Sequence, residues 1–326
     1  MCDLIPIFLI SLPRSGSTLL QKILTVNPEI HSVTEPWFIL PLAYSFRKEG
    51  ILTIYSQKNA SLAIKDFIGT FPNNNKDYFD ELRKFIISLY LKTRPNMSVK
   101  YFLDKTPRYY LIISFLAEVF PQAKFIFLFR NPLEVLSSII KTWTGDRLFI
   151  YRHYIDLYYG PQAIANGFTL LKDRSVSINY SDLVNTPEKE IKNICSYLQI
   201  KYDQSMLSQY QTIKFSGRMG DQSVLNENDT ISTIPKEKWK SSLNTIYRKY
   251  FSKKYIKGLG DDTLSAFGTS VKELHQEINS ITNLRGGSFQ DFFFHIVSLS
   301  KILINIDYYK NLGTLFFKKE RFYPYT

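Results

Sequence analysis

The stretch "FLISLPRSGSTLLQKIL" (residues 8–24) decides how the chain is read. An apolar run stops at a proline, meets a cation, small hydroxyls and a glycine, and resumes with helical spacing. Strand, tight turn and helix start form a common platform for an anion. Amides at a helix N-terminus lack intrahelical acceptors, and the helix dipole favours negative charge there. Gly16 permits close backbone approach, Ser15, Ser17 and Thr18 supply hydroxyls, and Arg14 supplies charge. The nucleoside triphosphate loop, G-x-x-x-x-G-K-[ST], is the natural comparison. Aligning Gly16 with its second glycine puts Ser11 at the first glycine and Ser17 at the lysine. Without that lysine, and with no clear strand-end aspartate for a metal, a γ-phosphate and its magnesium are poorly served. An anion of lower charge, handled without metal, suits this loop better.

Outward from the loop, the pattern alternates strand and helix. Residues 5–11, 99–103, 124–130 and 175–180 are expected as strands, and 17–27, a segment from Pro132 and 186–198 as helices. The continuous apolar run "KFIFLFR" (124–130) suits a parallel strand buried on both faces. Residues 37–95 carry helical periodicity, with Phe79, Leu82, Phe85, Ile86, Leu89 and Tyr90 on one face. The polar stretch 217–230 is expected as a mobile loop, and 260–326 as a helical, aromatic extension.

With 326 residues, 44% of them hydrophobic, the chain can bury a large core. A net charge of +12 invites an anionic ligand, but the cations are scattered, which argues against nucleic acid. Two cysteines, Cys2 and Cys195, support neither a disulfide framework nor a cysteine metal site. The N-terminal apolar stretch runs straight into the loop, so no signal peptide is expected. No run reaches the roughly 18 apolar residues of a membrane span. A cytoplasmic protein without stable membrane insertion is expected.

"PRSGST" (13–18) resembles the 5′-phosphosulfate loop of sulfotransferases that use 3′-phosphoadenosine 5′-phosphosulfate (PAPS), particularly the bacterial-type and tyrosylprotein-like branch. "FLFRNPLEVLSSI" (127–139) is similar to that family's 3′-phosphate motif, an arginine ending a strand and a serine eight residues later, here Arg130 and Ser138. An arginine forks onto a phosphate bidentately. "DKTPRYY" (104–110) resembles the K-T-P element, which implies Lys105 beside the sulfuryl group, stabilising charge on the leaving oxygen. "NYSDLVNTPEKEI" (179–191) resembles the segment whose tyrosine, here Tyr180, approaches the adenine. "PKEKWKSSL" (235–243) resembles the segment that closes over the cofactor, implying Lys238, Trp239 and Lys240.

The resemblance implies a P-loop-NTPase-like three-layer α/β fold, with a central parallel sheet flanked by helices and a helical lid over 37–95. The sulfotransferase domain would run over 1–259. PAPS would be the co-substrate and 3′,5′-ADP the product, with Pro13, Arg14, Ser15, Gly16, Ser17 and Thr18 around the 5′-phosphosulfate and no metal required. Transfer to a hydroxyl needs a base. The cytosolic small-molecule branch has a histidine two residues after the lysine, where this chain has Pro107. Tyrosylprotein-like members instead place a glutamate after the first helix, which Glu35 in "HSVTEPW" matches, with His31 as the alternative. The acceptor would be a saccharide, phenol or other small molecule, and the extension would cap the acceptor site or make a homodimer contact. A nucleotide kinase-like enzyme and a non-catalytic nucleotide- or glycan-binding protein remain as alternatives.

Overall fold

A computed structural model describes residues 4–51, 53, 55–217, 219 and 238–304. Most of the polar stretch 217–230, and the extension beyond 304, lie outside the described residues.

Five strands, β1 (Ile5–Ser11), β2 (Ile30–Ser32), β3 (Tyr101–Asp104), β4 (Lys124–Phe129) and β5 (Ser175–Asn179), form one sheet in the order β2-β3-β1-β4-β5. Every neighbouring pair is parallel, with Phe8 opposite both Asp104 and Phe125. β1 is apolar along its length because both its faces are covered. Phe8 and Ile10 join Phe102, Phe125 and Phe127 in one core, while Ile7 and Leu9 join Leu103, Ile126 and Leu128 in the other. This is the two-residue alternation of a strand read twice over.

The second core is closed by α1 (Ser17–Thr25) and α9 (Pro187–Leu198), through Leu20, Ile23, Ile191 and Ile194. The first is closed by α5 (Ile113–Val119), α6 (Pro132–Trp143), α7 (Gly160–Leu170) and α11 (Ile246–Ala266). Three helices occupy the segment between β2 and β3: α2 (Ile39–Tyr44), α3 (Gln57–Ile68) and α4 (Asn75–Thr93). α4 sits beside α5, where Arg83 Nε donates to the Val119 carbonyl at 2.5 Å. The shorter helices α8 (Tyr180–Asn185) and α10 (Ser205–Ser208), then α12 (Val271–Asn279) and α13 (Ser288–Ile304), complete the described α-helices.

Strand β2 is not among the strands expected from the sequence, and β3 starts two residues later than expected. β2 is three residues of mixed polarity, so periodicity cannot mark it. It is fixed by pairing with β3 and by the Ser32 hydroxyl, which donates to the Leu103 carbonyl at 2.6 Å.

The chain reaches β2 and β3 on one side of β1, then crosses to β4 and β5 on the other. In open parallel sheets, the carboxyl ends of strands at such a reversal form a crevice.

Candidate active site

Each strand delivers one element of the site at its carboxyl end. β1 leads into Pro13–Thr18, β2 into Glu35, β3 into Lys105, β4 into Arg130 and β5 into Tyr180.

The loop after β1 contains two left-handed residues, Arg14 at φ 65° and Gly16 at φ 89°. Gly16 is the N-cap of α1, and its tight turn is the conformation that glycine adopts most easily. Space also demands glycine, because a Cβ there would lie 2.4 Å from Cδ2 and Cε2 of Tyr180. Pro13 is buried, and so are Ser15 and Ser17. The Ser11 and Ser15 hydroxyls are buried without a hydrogen-bond partner among the described residues. Unpaired buried hydroxyls are costly, so two of them beside a helix N-terminus and an arginine make a donor set that fits an anionic group such as a phosphosulfate.

Two clusters surround this loop. In the first, Lys105 Nζ lies 2.5 Å from Glu35 Oε1 and 3.3 Å from Thr18 Oγ1. The side chains are 2% and 9% exposed, so a charged pair sits almost dry at the start of α1. The indole Nε1–H of Trp37 donates to Glu35 Oε2 at 3.0 Å.

The second cluster surrounds Arg130. Its Nε donates to Glu134 Oε2 at 2.7 Å, its Nη1 donates to the Arg14 carbonyl at 2.8 Å, and its guanidinium lies 4.1 Å over the Tyr180 ring. Burial raises the Tyr180 hydroxyl pKa, and the cation beside it opposes that rise. Asn131 caps α6 by accepting from the Leu133 amide at 2.9 Å, with Pro132 at the first helical position, which fixes where Arg130 emerges. Arg14 Nε donates to Ser138 Oγ at 3.1 Å, and Arg14 also lies over the exposed ring of Trp143.

Lys105, Glu35 and Thr18 therefore meet, as do Arg14, Gly16, Arg130, Ser138 and Tyr180. The serine expected beside Arg130 is bonded instead by Arg14. His31 lies elsewhere: its ring packs edge-on against Phe102, and burial lowers its pKa, partly opposed by the Thr93 backbone. Of the late segment, Lys238 is exposed and Trp239, 5% exposed, packs into the first core. Lys240 is half-buried, and its charge partly opposes the rise that burial imposes on the Glu277 pKa.

Several residues here were not singled out from the sequence. Glu134 holds Arg130, and Trp37 holds Glu35. Asp104 is fully buried and accepts from the hydroxyls of Tyr90 at 2.6 Å and Tyr109 at 3.0 Å. Its pKa is pushed up to about 6 by desolvation, against the pull of those bonds. Buried Asp156 accepts from both Arg108 and Tyr110 and stays below the ordinary carboxylate range, because His153 and Arg108 outweigh its burial. Glu134, Trp37, Asp104, Arg108, Tyr109 and Tyr110 lie inside the quoted stretches, but no motif assigns them a role.

This arrangement belongs with a known class of protein. The chain belongs to the sulfotransferase family, whose family model matches residues 6–204. Among curated relatives, nodulation protein NoeE of Sinorhizobium fredii is 31% identical over 136 residues, covering 42% of this chain and 31% of that protein. Protein-tyrosine sulfotransferase 1 of Danio rerio is 23% identical over 235 residues, covering 70% of this chain and 62% of that protein. This chain thus spans less than two thirds of the length of either. A solved sulfotransferase from Alicyclobacillus acidocaldarius is similar with a TM-score of 0.44 and 13% identity, covering 83% of this chain and 98% of that one. Among the described residues no helix is long and apolar enough to cross a membrane, and no group of three acidic, histidine or cysteine side chains could hold a metal.

Proposed function

We propose that the chain is a PAPS-dependent sulfotransferase that moves a sulfuryl group to the hydroxyl of a saccharide, phenol or other small molecule. The observation that carries this reading is the buried Lys105–Glu35 pair at the first turn of α1, within reach of Thr18 and beside the Arg14 loop. A simple binding protein has little reason to bury a carboxylate and an ammonium together, because desolvation of such a pair offsets much of its attraction. PAPS supplies the sulfuryl group and leaves as 3′,5′-ADP. Arg14, the hydroxyls of Ser15, Ser17 and Thr18 and the α1 amides bind the 5′-phosphosulfate, with Pro13 and Gly16 shaping the loop. Arg130 and Ser138 take the 3′-phosphate, which requires Ser138 to exchange its bond from Arg14. Tyr180 flanks the nucleotide, with Lys238, Trp239 and Lys240 near its outer side.

Glu35 takes the proton of the acceptor hydroxyl as that oxygen attacks, and Lys105 stabilises the charge that develops on the departing phosphate oxygen. Both act from one ion pair, so the acceptor separates them only when it enters. The fold is of the P-loop-NTPase-like three-layer kind without its lysine. Residues 37–95 act as a lid over the acceptor, 1–259 form the transferase domain, and the location is cytoplasmic. Incubating purified protein with labelled PAPS and pooled phenols and saccharides tests the reading: one product should gain the mass of a sulfuryl group, and Glu35→Gln should abolish that product. No product from any acceptor class, with 3′,5′-ADP failing to bind, would leave the kinase-like and non-catalytic alternatives.

A further inference from the structure

Trp37 has the left-handed backbone of φ 60°, which a bulky aromatic residue adopts only under constraint. Three bonds supply that constraint. Its amide donates to Thr106 Oγ1 at 3.4 Å, its carbonyl accepts from the Leu40 amide at 3.1 Å, and its indole N–H donates to Glu35 Oε2 at 3.0 Å. The Thr106 hydroxyl in turn donates to Asp104 Oδ1 at 3.1 Å, and the other oxygen of Asp104 is held by Tyr90 and Tyr109. Asp104 and Thr106 are 0% and 1% exposed, and they flank Lys105 in sequence.

One strand end thus grips the Glu35 carboxylate from both sides. Lys105 reaches Oε1 directly, and its two neighbours hold the tryptophan that reaches Oε2. A conformation of this cost persists where the surroundings over-determine it, and such positions gather at functional sites.

We propose that Trp37 is a positioning residue that fixes the plane of the Glu35 carboxylate, and that Thr106 and Asp104 lock Trp37 in place. The proposal rests on the reading of Glu35 as the base. A base displaced by an ångström loses about 10²-fold in rate, so the clamp acts on turnover and not on nucleotide affinity.

The test uses ¹⁵N-indole-labelled protein, in which Trp37→Phe identifies the Trp37 resonance. Thr106→Val keeps the shape and removes the hydroxyl, and Thr106→Ser keeps the hydroxyl. Thr106→Val should move the Trp37 indole resonance as Glu35→Gln does, and should lower sulfation of the pooled acceptors about 10²-fold. Its affinity for 3′,5′-ADP should stay within several-fold of the parent. Thr106→Ser should recover both the resonance and most of the turnover. An unmoved resonance with parental turnover in Thr106→Val, or a serine variant as impaired as the valine one, overturns the proposal. If Thr106→Val does not fold, Trp37→Phe decides the matter by losing turnover while keeping 3′,5′-ADP affinity; parental turnover there also overturns it. A parent that makes no sulfated product, while its indole resonance still follows Thr106→Val and Glu35→Gln, supports the clamp and removes the base role assigned to Glu35.

Discussion

Lys105→Met removes a charge and little volume from the driest part of the site. In the parent, the ammonium lies 2.5 Å from Glu35 Oε1, with side chains 2% and 9% exposed. The substitution leaves the carboxylate buried, with only the Trp37 indole as a donor of those two. Breaking a buried pair by removing one partner costs about 3–5 kcal/mol, because the remaining charge is uncompensated. At about 2 °C per kcal/mol, the low end for larger chains, Tm should fall by roughly 6–10 °C. Scanning calorimetry should find that loss, and the Lys105→Met/Glu35→Gln double variant should recover more than half of it, since neither charge remains. Residues in contact show such non-additivity, whereas distant ones add. A single variant within about 1 °C of the parent, or a double variant as unstable as both losses summed, would refute the buried pair. In transfer assays the same variant should lose turnover strongly and keep 3′,5′-ADP affinity within several-fold, because the leaving oxygen gains charge only during transfer.

Other substitutions probe the remaining parts. Glu35→Gln should lower turnover by about 10²–10⁴-fold while binding 3′,5′-ADP as the parent does, and parental turnover there would remove the base role from Glu35. Gly16→Ala forces a Cβ to 2.4 Å from the Tyr180 ring at φ 89°. The backbone strain alone should cost about 1–3 kcal/mol, and 3′,5′-ADP affinity should fall with it; calorimetry checks both. Asp104 carries a folded pKa of about 6, raised by desolvation above its ordinary value. The folded state therefore holds this proton more tightly than the unfolded chain, so stability falls as pH rises from about 4 to about 6. At 1.36 kcal/mol per unit the change is on the order of 3 kcal/mol. Asp104→Asn should flatten that part of the Tm–pH profile, and an unchanged slope would contradict the assignment.

The sheet was legible where strands are apolar on both faces. "IPIFLIS" and "KFIFLF" are legible because all but one terminal residue of each is apolar, which suits burial on both faces. β2 was hidden because three residues carry too little pattern, and its place depends on a partner strand about 70 residues away. In the site, the places of Gly16 and Arg130 were readable from local pattern: a glycine at a left-handed turn, an arginine at the end of an apolar strand. Trp37, Thr106 and Glu134 were not, because what they hold is decided by tertiary contacts. The Trp37–Thr106 bond joins residues 69 positions apart. Glu134 reads as an ordinary acidic first-turn residue of a helix until Arg130 turns back onto it. The Arg14–Ser138 bond spans 124 positions, so the resemblance that pairs Ser138 with Arg130 gives no sign of it.

The most direct measurement is titration calorimetry of the purified protein with 3′,5′-ADP and with ADP, each with and without magnesium. A charge-assisted contact from Arg130 to a 3′-phosphate should be worth about 2–5 kcal/mol. The parent should therefore prefer 3′,5′-ADP by roughly thirty-fold to a few thousand-fold, independently of magnesium, and Arg130→Ala should erase most of that preference. Equal affinity for the two nucleotides, or binding that requires magnesium, would contradict PAPS as the sulfuryl donor.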